Sequence, residues 1–417
     1  MANAPPSSAA PTQNTRHDLL LDAATRQLNS KGVLLTSLAE IAAALGISRS
    51  AMYYYVTDRE DLVFQCYRRA AEVTARHLHE ASRIGGTSAD VLRTFVTRML
   101  DPNEPEIAAR AEMAMMSTTQ RDTIQGLHDA IATRLAHLLE AGHREGVLRE
   151  CDVEVNARII LSLLTWAPLA APWAKAIGPM GPARLLAAAI ATVFEGLATE
   201  PTVPAFTPID LAALLPQTVS AFDRAAALEA KRETLVTEAS WLFNRKGIDA
   251  TSLEEIAAQV GATKRTLHHH LGSKAELVAA CYERAFRIFF YIKDKMIAYP
   301  GTRLAALITA MKALALAYPN RQLTPLSPVV GFGALSPEAQ IRIQGHSKEL
   351  GDAYHALIRD GINEGSIRDV DVEARALMLP GLLGWLVKDD VPTELVSQQH
   401  IAREIAGFVA VGVGKRN

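Results

Sequence analysis

The residues best suited to chemistry in this chain form a short polar run. Ser48, Arg49 and Ser50 are consecutive, and Tyr53 and Tyr54 follow within one helical turn. An arginine can donate two parallel hydrogen bonds to guanine O6 and N7, and a serine hydroxyl can bond to either base edge. The sequence shows no glycine-rich phosphate loop and no spacing that would support a Ser/His/Asp arrangement. The residue types therefore favour contact with DNA over catalysis.

Two short helices joined by a tight turn are predicted to position this run. Apolar residues at helical spacing predict the first helix over residues 38–45. Ser37 and Glu40 can begin it as a capping box, and Gly46 can end it in the left-handed conformation. Ser48 can then cap the second helix. This is the pattern of a helix-turn-helix, whose second helix lies in the major groove of DNA.

The same stretch occurs a second time, 215 residues later. Nine of the 27 positions are identical between residues 36–62 and 251–277. So long a period indicates two domain-sized units and not a solenoid. The polar residues at the equivalent positions of the second copy are Thr263, Lys264, Arg265, Thr266, His268 and His269.

Three consecutive histidines at 268–270 invite a metal interpretation. Adjacent side chains on a helix point about 100° apart, so the three cannot converge on one ion. We therefore expect no metal site here, no cofactor and no enzyme activity.

The composition favours a helical protein of the reducing cytosol. The chain has 417 residues, a formal net charge of −2 and three widely spaced cysteines, Cys66, Cys151 and Cys281. An odd, scattered set of cysteines argues against a disulfide framework. The apolar uncharged run of residues 159–174 is short and holds two prolines, so no membrane span is expected. We expect a cytoplasmic protein without a membrane partner.

The order of these elements resembles the N-terminal domain of the TetR family of bacterial transcriptional regulators. The resemblance rests on a preceding amphipathic helix, the motif T-S-L-x-E-I-A-A-x-x-G, a short second helix and the following [S/G]-x-[K/R]-x-x-L. It covers residues 15–65 and 230–280. It implies an all-α fold of two tandem TetR-like halves, each with a three-helix head and a helical body. The usual family protein has one head per chain and works as a homodimer, so this chain looks like two fused subunits.

We predict six segments on this basis. They are a disordered tail (1–14), a first helix-turn-helix domain (15–65), a first regulatory body (66–198), a Pro-rich linker (199–223), a second helix-turn-helix domain (224–280) and a second body (281–417). Body helices are expected near 88–100, 105–117, 120–145, 152–174 and 181–198, and near 301–318, 337–363, 370–388 and 394–412. A second repeat match, offset by 219, pairs Trp166 with Trp385.

The last two helices of each subunit form a four-helix bundle in this family. The resemblance therefore implies that residues 152–198 and 370–412 pack on each other as an intramolecular pseudo-dimer. Both stretches are uncharged over long runs, which is typical of buried helices. A monomer would then suffice to bind DNA, and further dimerisation stays open.

Four more positions complete the expected DNA surface. Thr36 and Thr251 begin helices whose free N–H groups favour a phosphate oxygen. By resemblance, Arg59 and Lys274 hold the position of the family's phosphate-contacting lysine. Because the two heads carry different residues, we expect an asymmetric double-stranded operator. Its half-sites should lie about one helical turn apart or a multiple of it.

The family encloses a small-molecule pocket in its central helices, which implies a hydrophobic or aromatic effector here. Residues of these types are more often plain core than pocket walls. The candidates are Phe95, Met99, Met113, Met116, His128, Trp166, Trp173, Phe286, Phe289, Phe290, Tyr318, His346 and Tyr354. We expect a repressor that the effector releases from DNA.

Two alternatives stay open from the sequence. Residues 14–62 carry five Lys or Arg against six Asp or Glu, which would also suit a helical ligand-binding protein that has lost DNA binding in one or both heads. The other alternative is a helical enzyme with a histidine-centred site.

Overall fold

The computed structural model describes residues 13–33, 35–110, 112–170, 180–216, 223–263, 265, 271–328, 331–387 and 397–415. The fold is all-α, as predicted. The described residues form no β-strand, only two isolated β-bridges. No described helix is both long and apolar enough to cross a bilayer.

The first half contains eight described helices. They are α1 (Gln13–Lys31), α2 (Leu38–Ala44), α3 (Arg49–Met52), α4 (Arg59–Ile84), α5 (Ser88–Met99), α6 (Thr118–Arg144), α7 (Val153–Leu169) and α8 (Pro182–Phe194). A 3₁₀ turn, Met113–Met115, precedes α6.

The second half repeats this order with seven described helices. They are α9 (Arg224–Lys246), α10 (Leu253–Gln259), α11 (Lys274–Ile297), α12 (Arg303–Ala317), α13 (Pro337–Asn363), α14 (Val372–Met378) and α15 (Gln398–Val411). Three 3₁₀ turns, Phe332–Ala334, Leu379–Leu382 and Gly384–Val387, lie among them. A further 3₁₀ turn, Ala212–Leu214, lies in the predicted linker.

Local capping fixes the first head. The Ser37 hydroxyl accepts from Glu40 N at 3.3 Å, and the Ser48 hydroxyl accepts from Ala51 N at 3.1 Å. Gly46 has φ +64°, as predicted for the end of α2. The capping box is only half formed, because the Glu40 carboxylate pairs with Lys31 Nζ at 2.8 Å. The second head repeats this pairing between Lys246 and Glu255.

The two bodies pack against each other through the ends of both halves. Helices α7 and α8 contact α14, the turn Leu379–Leu382 and α15. One apolar core runs through both bodies and the second head, and the first head has a core of its own. The two halves therefore meet as an intramolecular pair.

The last residues of each half form a β-bridge with the other half, and we call this pair of contacts the clasp. Ala198 forms a β-bridge with Ile367, and Gly414 forms one with Leu148. Leu148 and Ile367 are equivalent by the 219-residue offset, so the clasp is reciprocal. Helix α1 packs on the turn Phe332–Ala334, and α9 packs on the turn Met113–Met115. Each head therefore touches the body of the opposite half.

The structure corrects the helix predicted at 105–117. Residues 105–110 are not helical, and only the turn Met113–Met115 follows. The amide of Asn29 holds this segment, since Nδ2 donates to Ile107 O and Oδ1 accepts from Ala109 N, both at 2.9 Å. Pro105 also lacks an N–H for a helix.

The helix predicted at 370–388 is shorter than expected. Helix α14 ends at Met378 and continues as 3₁₀ turns, because Pro380 cannot donate a helical hydrogen bond. Residues 1–12 of the predicted tail and the C-terminal end of the helix predicted at 152–174 lie outside the described residues.

Candidate nucleic-acid interface and inner cavity

The first head displays its polar run on the surface. Ser48, Arg49 and Ser50 are exposed, and Tyr53 and Tyr54 are 45% and 71% exposed. Arg49 Nη2 donates to the Tyr53 hydroxyl at 3.4 Å. The run therefore offers an arginine fork, hydroxyls and two phenols to solvent on one short helix and its turn.

Buried side chains and hydrogen bonds hold α3 against the rest of the head. Met52 and Val56 are fully buried, as expected for core positions. The ring of Tyr55 stacks on His17 with centroids 6.0 Å apart, and Gln65 Nε2 donates to Tyr55 O at 3.0 Å. The helix is thus fixed to both α1 and α4, which leaves its outer face for recognition.

Thr36 and Thr251 do not offer their side chains to a phosphate. Both are buried, and their hydroxyls donate to Gly32 O and Gly247 O at 2.7 Å. The prediction missed that these threonines close the end of the preceding helix. Any phosphate contact at these helices would have to come from backbone N–H groups.

The two predicted phosphate-binding cations differ in environment. Arg59 is partly exposed at the start of α4. Lys274 is half-buried, and its Nζ lies 3.5 Å from Asp249 O. Burial lowers the pKa of Lys274, and the nearby Asp249 and Glu112 oppose that shift.

The second head is described only in part. Thr263 and Arg265 are exposed. Lys264, Thr266, His268 and His269 lie outside the described residues. Among the described residues, no three His, Cys, Asp or Glu side chains are grouped closely enough to hold a metal ion.

A cavity of about 280 Å³ lies between the halves. Four predicted ligand-binding residues line it, namely Met99, His128, Trp166 and Tyr318. The ends of α1 and α9 also line it, through Val33 and Ile248. The cavity therefore touches both heads as well as both bodies.

The other described candidates do not line this cavity. Phe95 and Met116 are buried in cores, and Met113 packs against the core that contains Met116. In the second body, Phe286 packs on Phe289 and on His346, with centroids 5.6 and 5.3 Å apart. Phe290 joins that cluster and Tyr354 packs against the core. In this structure these residues pack in cores and aromatic clusters, and their role as pocket walls stays a prediction. Trp173 lies outside the described residues.

Sequence reasoning missed several polar residues of the cavity wall. They are Arg110, Glu112, Gln125, Arg158, Thr165 and Gln344. The first two lie in the segment wrongly predicted as a helix. Gln125 and Gln344 are related by the 219-residue offset, so the repeat could have pointed to them.

Glu112 connects the cavity wall to the second head. It is 5% exposed, Oε1 accepts from Ile248 N at 2.9 Å and Oε2 accepts from Asp249 N at 3.2 Å. Its own N–H donates to the Tyr67 hydroxyl at 3.4 Å. A carboxylate of the first half thus holds the turn that precedes the second helix-turn-helix.

His128 is a titratable group of the cavity wall. Burial, with a contribution from Arg110, lowers its pKa well below the ordinary range. Its ring is therefore neutral at physiological pH, with one nitrogen as donor and one as acceptor.

Comparison with known families decides the identity of the heads. The family described as bacterial regulatory proteins, tetR family, matches residues 20–66 and again residues 235–281. The chain belongs to the TetR family. A tetracyclin repressor-like C-terminal domain also matches residues 89–197. This TetR-family chain is therefore a transcriptional regulator with two helix-turn-helix heads.

Two curated relatives support the assignment. The chain is 29% identical to the HTH-type transcriptional regulator AcrR of Shigella flexneri over 143 residues, which are 31% of this chain and 66% of that protein. It is 26% identical to the transposon Tn10 TetC protein of Escherichia coli over 184 residues, 43% of this chain and 87% of that protein. The chain thus spans slightly under two thirds of the first relative.

Solved structures also align with parts of the chain, among them a TetR family transcriptional regulator. PfmR from Thermus thermophilus is 24% identical, with 44% of this chain and 96% of that chain covered and a TM-score of 0.37. AibR, solved with isovaleryl coenzyme A and operator DNA, is 19% identical, with 42% and 96% covered and a TM-score of 0.36.

Proposed function

We propose that this regulator is a repressor whose two unlike heads read an asymmetric operator. The observation that carries the proposal is the pair of heads held in one chain, each with an exposed arginine on its second motif helix. Arg49 stands beside serines and tyrosines, whereas Arg265 follows Thr263 in a run with histidines. A homodimer must read two identical half-sites, but a fused pair need not.

We further propose that the segments act as the sequence suggested, with heads at 15–65 and 224–280 and bodies at 66–198 and 281–417. Each head is joined to its body by a long helix, α4 or α11. A small molecule in the inner cavity would touch the ends of α1 and α9 and so change the separation of the heads. A coupling of about 1–3 kcal/mol would alter operator affinity about 5- to 150-fold.

Selection of genomic DNA by the purified chain tests the operator. The recovered site would be footprinted, and light scattering would give the mass of the complex. One chain on two unlike half-sites is the expected result. A palindromic site bound by two chains would contradict the asymmetric operator, and no enrichment even at low salt would favour a ligand-binding protein without DNA binding.

Replacing Arg49 with alanine is expected to weaken operator binding about 5- to 150-fold, since a bidentate base contact provides about 1–3 kcal/mol. Fluorescence anisotropy at fixed salt would measure this loss, and footprinting should show it at one half-site only. Arg265→Ala should act on the other half-site. Arg83→Ala, at an exposed position near the end of α4, is the matched control and should change affinity by less than about twofold. Equal losses at both half-sites for each variant would contradict the assignment of one head to each half-site.

A further inference from the structure

The inner cavity belongs to both halves at once. Equivalent residues of the two halves line it in pairs, namely Trp166 with Trp385 and Gln125 with Gln344. A space lined by both members of such pairs lies between the halves and not within one of them. A ligand in it would therefore bind once per chain.

The two walls of the cavity differ in chemistry. Arg110 lines it from the first half, and Pro328 lines it from the second. These two positions are equivalent, because the residue before each donates its N–H at 2.9 Å to the corresponding asparagine, Asn29 or Asn244. Glu112 and Asp129 also line the first wall, but the exchange of an arginine for a proline gives that wall a guanidinium that the second wall lacks at this position.

A further pair repeats this difference. Thr165 lines the cavity from α7, and its equivalent Gly384 lines it from the second half without a side chain. The polarity of the cavity thus comes mainly from the first half. In a homodimer the two walls would have been identical.

The polar wall has a donor set that suits one anion. Arg110 Nη1 lies 3.4 Å from Gln125 Oε1. His128 is on the same wall, and its buried Nε2 has no hydrogen-bond partner within the described structure. Among the described charges, Arg110 alone contributes to lowering the pKa of His128. A guanidinium fork beside a neutral imidazole N–H matches the geometry of a carboxylate.

Each half also contributes a tryptophan ring to the cavity, and the indole N–H of each ring is already hydrogen-bonded. The indole N–H of Trp166 donates to Leu377 O at 2.7 Å, and that of Trp385 donates to Leu382 O at 3.1 Å. Both rings are thereby fixed and present carbon surface to the cavity. At about 280 Å³, the space is slightly smaller than usual ligand pockets of about 300–1,000 Å³, which favours a compact ligand.

We propose that the cavity binds one molecule per chain of a compact carboxylate with an aromatic or aliphatic body. The carboxylate meets Arg110 and His128, and the apolar body lies against Trp166 and Trp385. Its role as an effector rests on the proposed repressor function, whereas the binding itself does not require DNA.

Calorimetric titration of the purified full chain tests the site with two probes of equal shape. 1-Naphthoate carries a carboxylate, and 1-naphthalenemethanol carries a neutral hydroxyl in its place. We expect one naphthoate per chain, bound at least about tenfold more tightly than the alcohol. Arg110→Met should remove about tenfold of the naphthoate affinity and leave that of the alcohol within about twofold.

Two further variants keep the test decisive. Arg403→Met replaces an exposed arginine of α15 that does not line the cavity, and it should leave both affinities unchanged. Arg110→Lys retains the charge without the fork and should give an intermediate loss. Two molecules per chain, equal affinity for both probes, no binding of either, or an unchanged preference in Arg110→Met would each overturn the proposal.

A separate measurement distinguishes this site from the repressor function. Naphthoate would be added to the chain bound to its selected operator. If naphthoate binds as expected but does not weaken operator affinity, the carboxylate site is confirmed, and the proposal that a ligand in this site releases the protein from DNA is wrong. If the chain selects no operator but binds naphthoate through Arg110, the regulatory proposal alone is wrong.

Discussion

Replacing Gly196 with alanine is expected to loosen the two halves and to lower the free energy of unfolding by about 3–5 kcal/mol. Gly196 has φ +62°, and an added Cβ would lie 2.3 Å from Ala410 O and 2.4 Å from Val411 N. These are backbone atoms of the other half and cannot turn aside as a side chain can. Urea unfolding of the full chain would measure the loss.

Substitutions at two other glycines distinguish backbone strain from steric overlap as causes of that loss. Gly365 has φ +83° with open space around it, so Gly365→Ala should show the backbone strain alone, about 1–2 kcal/mol. Gly351 lies in α13, also in open space, and alanine there should stabilise by up to about 1 kcal/mol. If Gly196→Ala costs no more than Gly365→Ala, the close approach of the halves does not limit stability.

The same contact is repeated on the other side of the pair. A Cβ on Gly412 would lie 2.6 Å from Val193 O and 2.7 Å from Glu195 N. Gly196 and Gly412 thus each admit the backbone of the opposite half. The reciprocal β-bridges of Ala198 and Gly414 follow directly after these glycines. The ends of both halves therefore make the same kind of contact with the opposite half.

The heads could be predicted from the sequence because their signals are local. Ser48 caps the helix that follows it, and Gly46 ends the helix before it, each through contacts within a few residues. The long helix α4 likewise begins beside its own cap, Asp58. Such elements depend on neighbours along the chain, so a pattern of residue types is enough to locate them.

The inner cavity could not be predicted because distant segments assemble it. Trp166 and Phe286 are both aromatic residues on apolar helices, yet Trp166 lines the cavity and Phe286 packs in an aromatic cluster. Nothing in their local sequence separates the two roles. The segment with Arg110 was misjudged for the same reason, since Asn29, about 80 residues earlier, fixes its conformation.

One segment of the first body contacts both heads, and it does so through two glutamates in different environments. Glu106 and Glu112 lie in one segment of the first body. Glu106 Oε1 accepts from Asn29 Nδ2 of the first head at 2.7 Å, in an exposed position. Glu112 instead accepts two backbone N–H groups of the second head in a buried position. Since buried hydrogen bonds to a carboxylate contribute more than exposed ones, the loss of the Glu112 carboxylate should cost more than the loss of the Glu106 carboxylate.

Replacing Glu112 with alanine is therefore expected to lower the free energy of unfolding by about 2–4 kcal/mol. The buried N–H groups of Ile248 and Asp249 would lose their acceptor, and the cost falls on the second head. Hydrogen exchange followed by mass spectrometry should accelerate over residues 247–263 and stay unchanged over residues 35–48. Glu106→Ala is the control within the same segment and should cost less than about 1 kcal/mol. Equal acceleration in both heads would show that Glu112 supports the fold generally, and no acceleration in either would show that the second head is held by its own core alone.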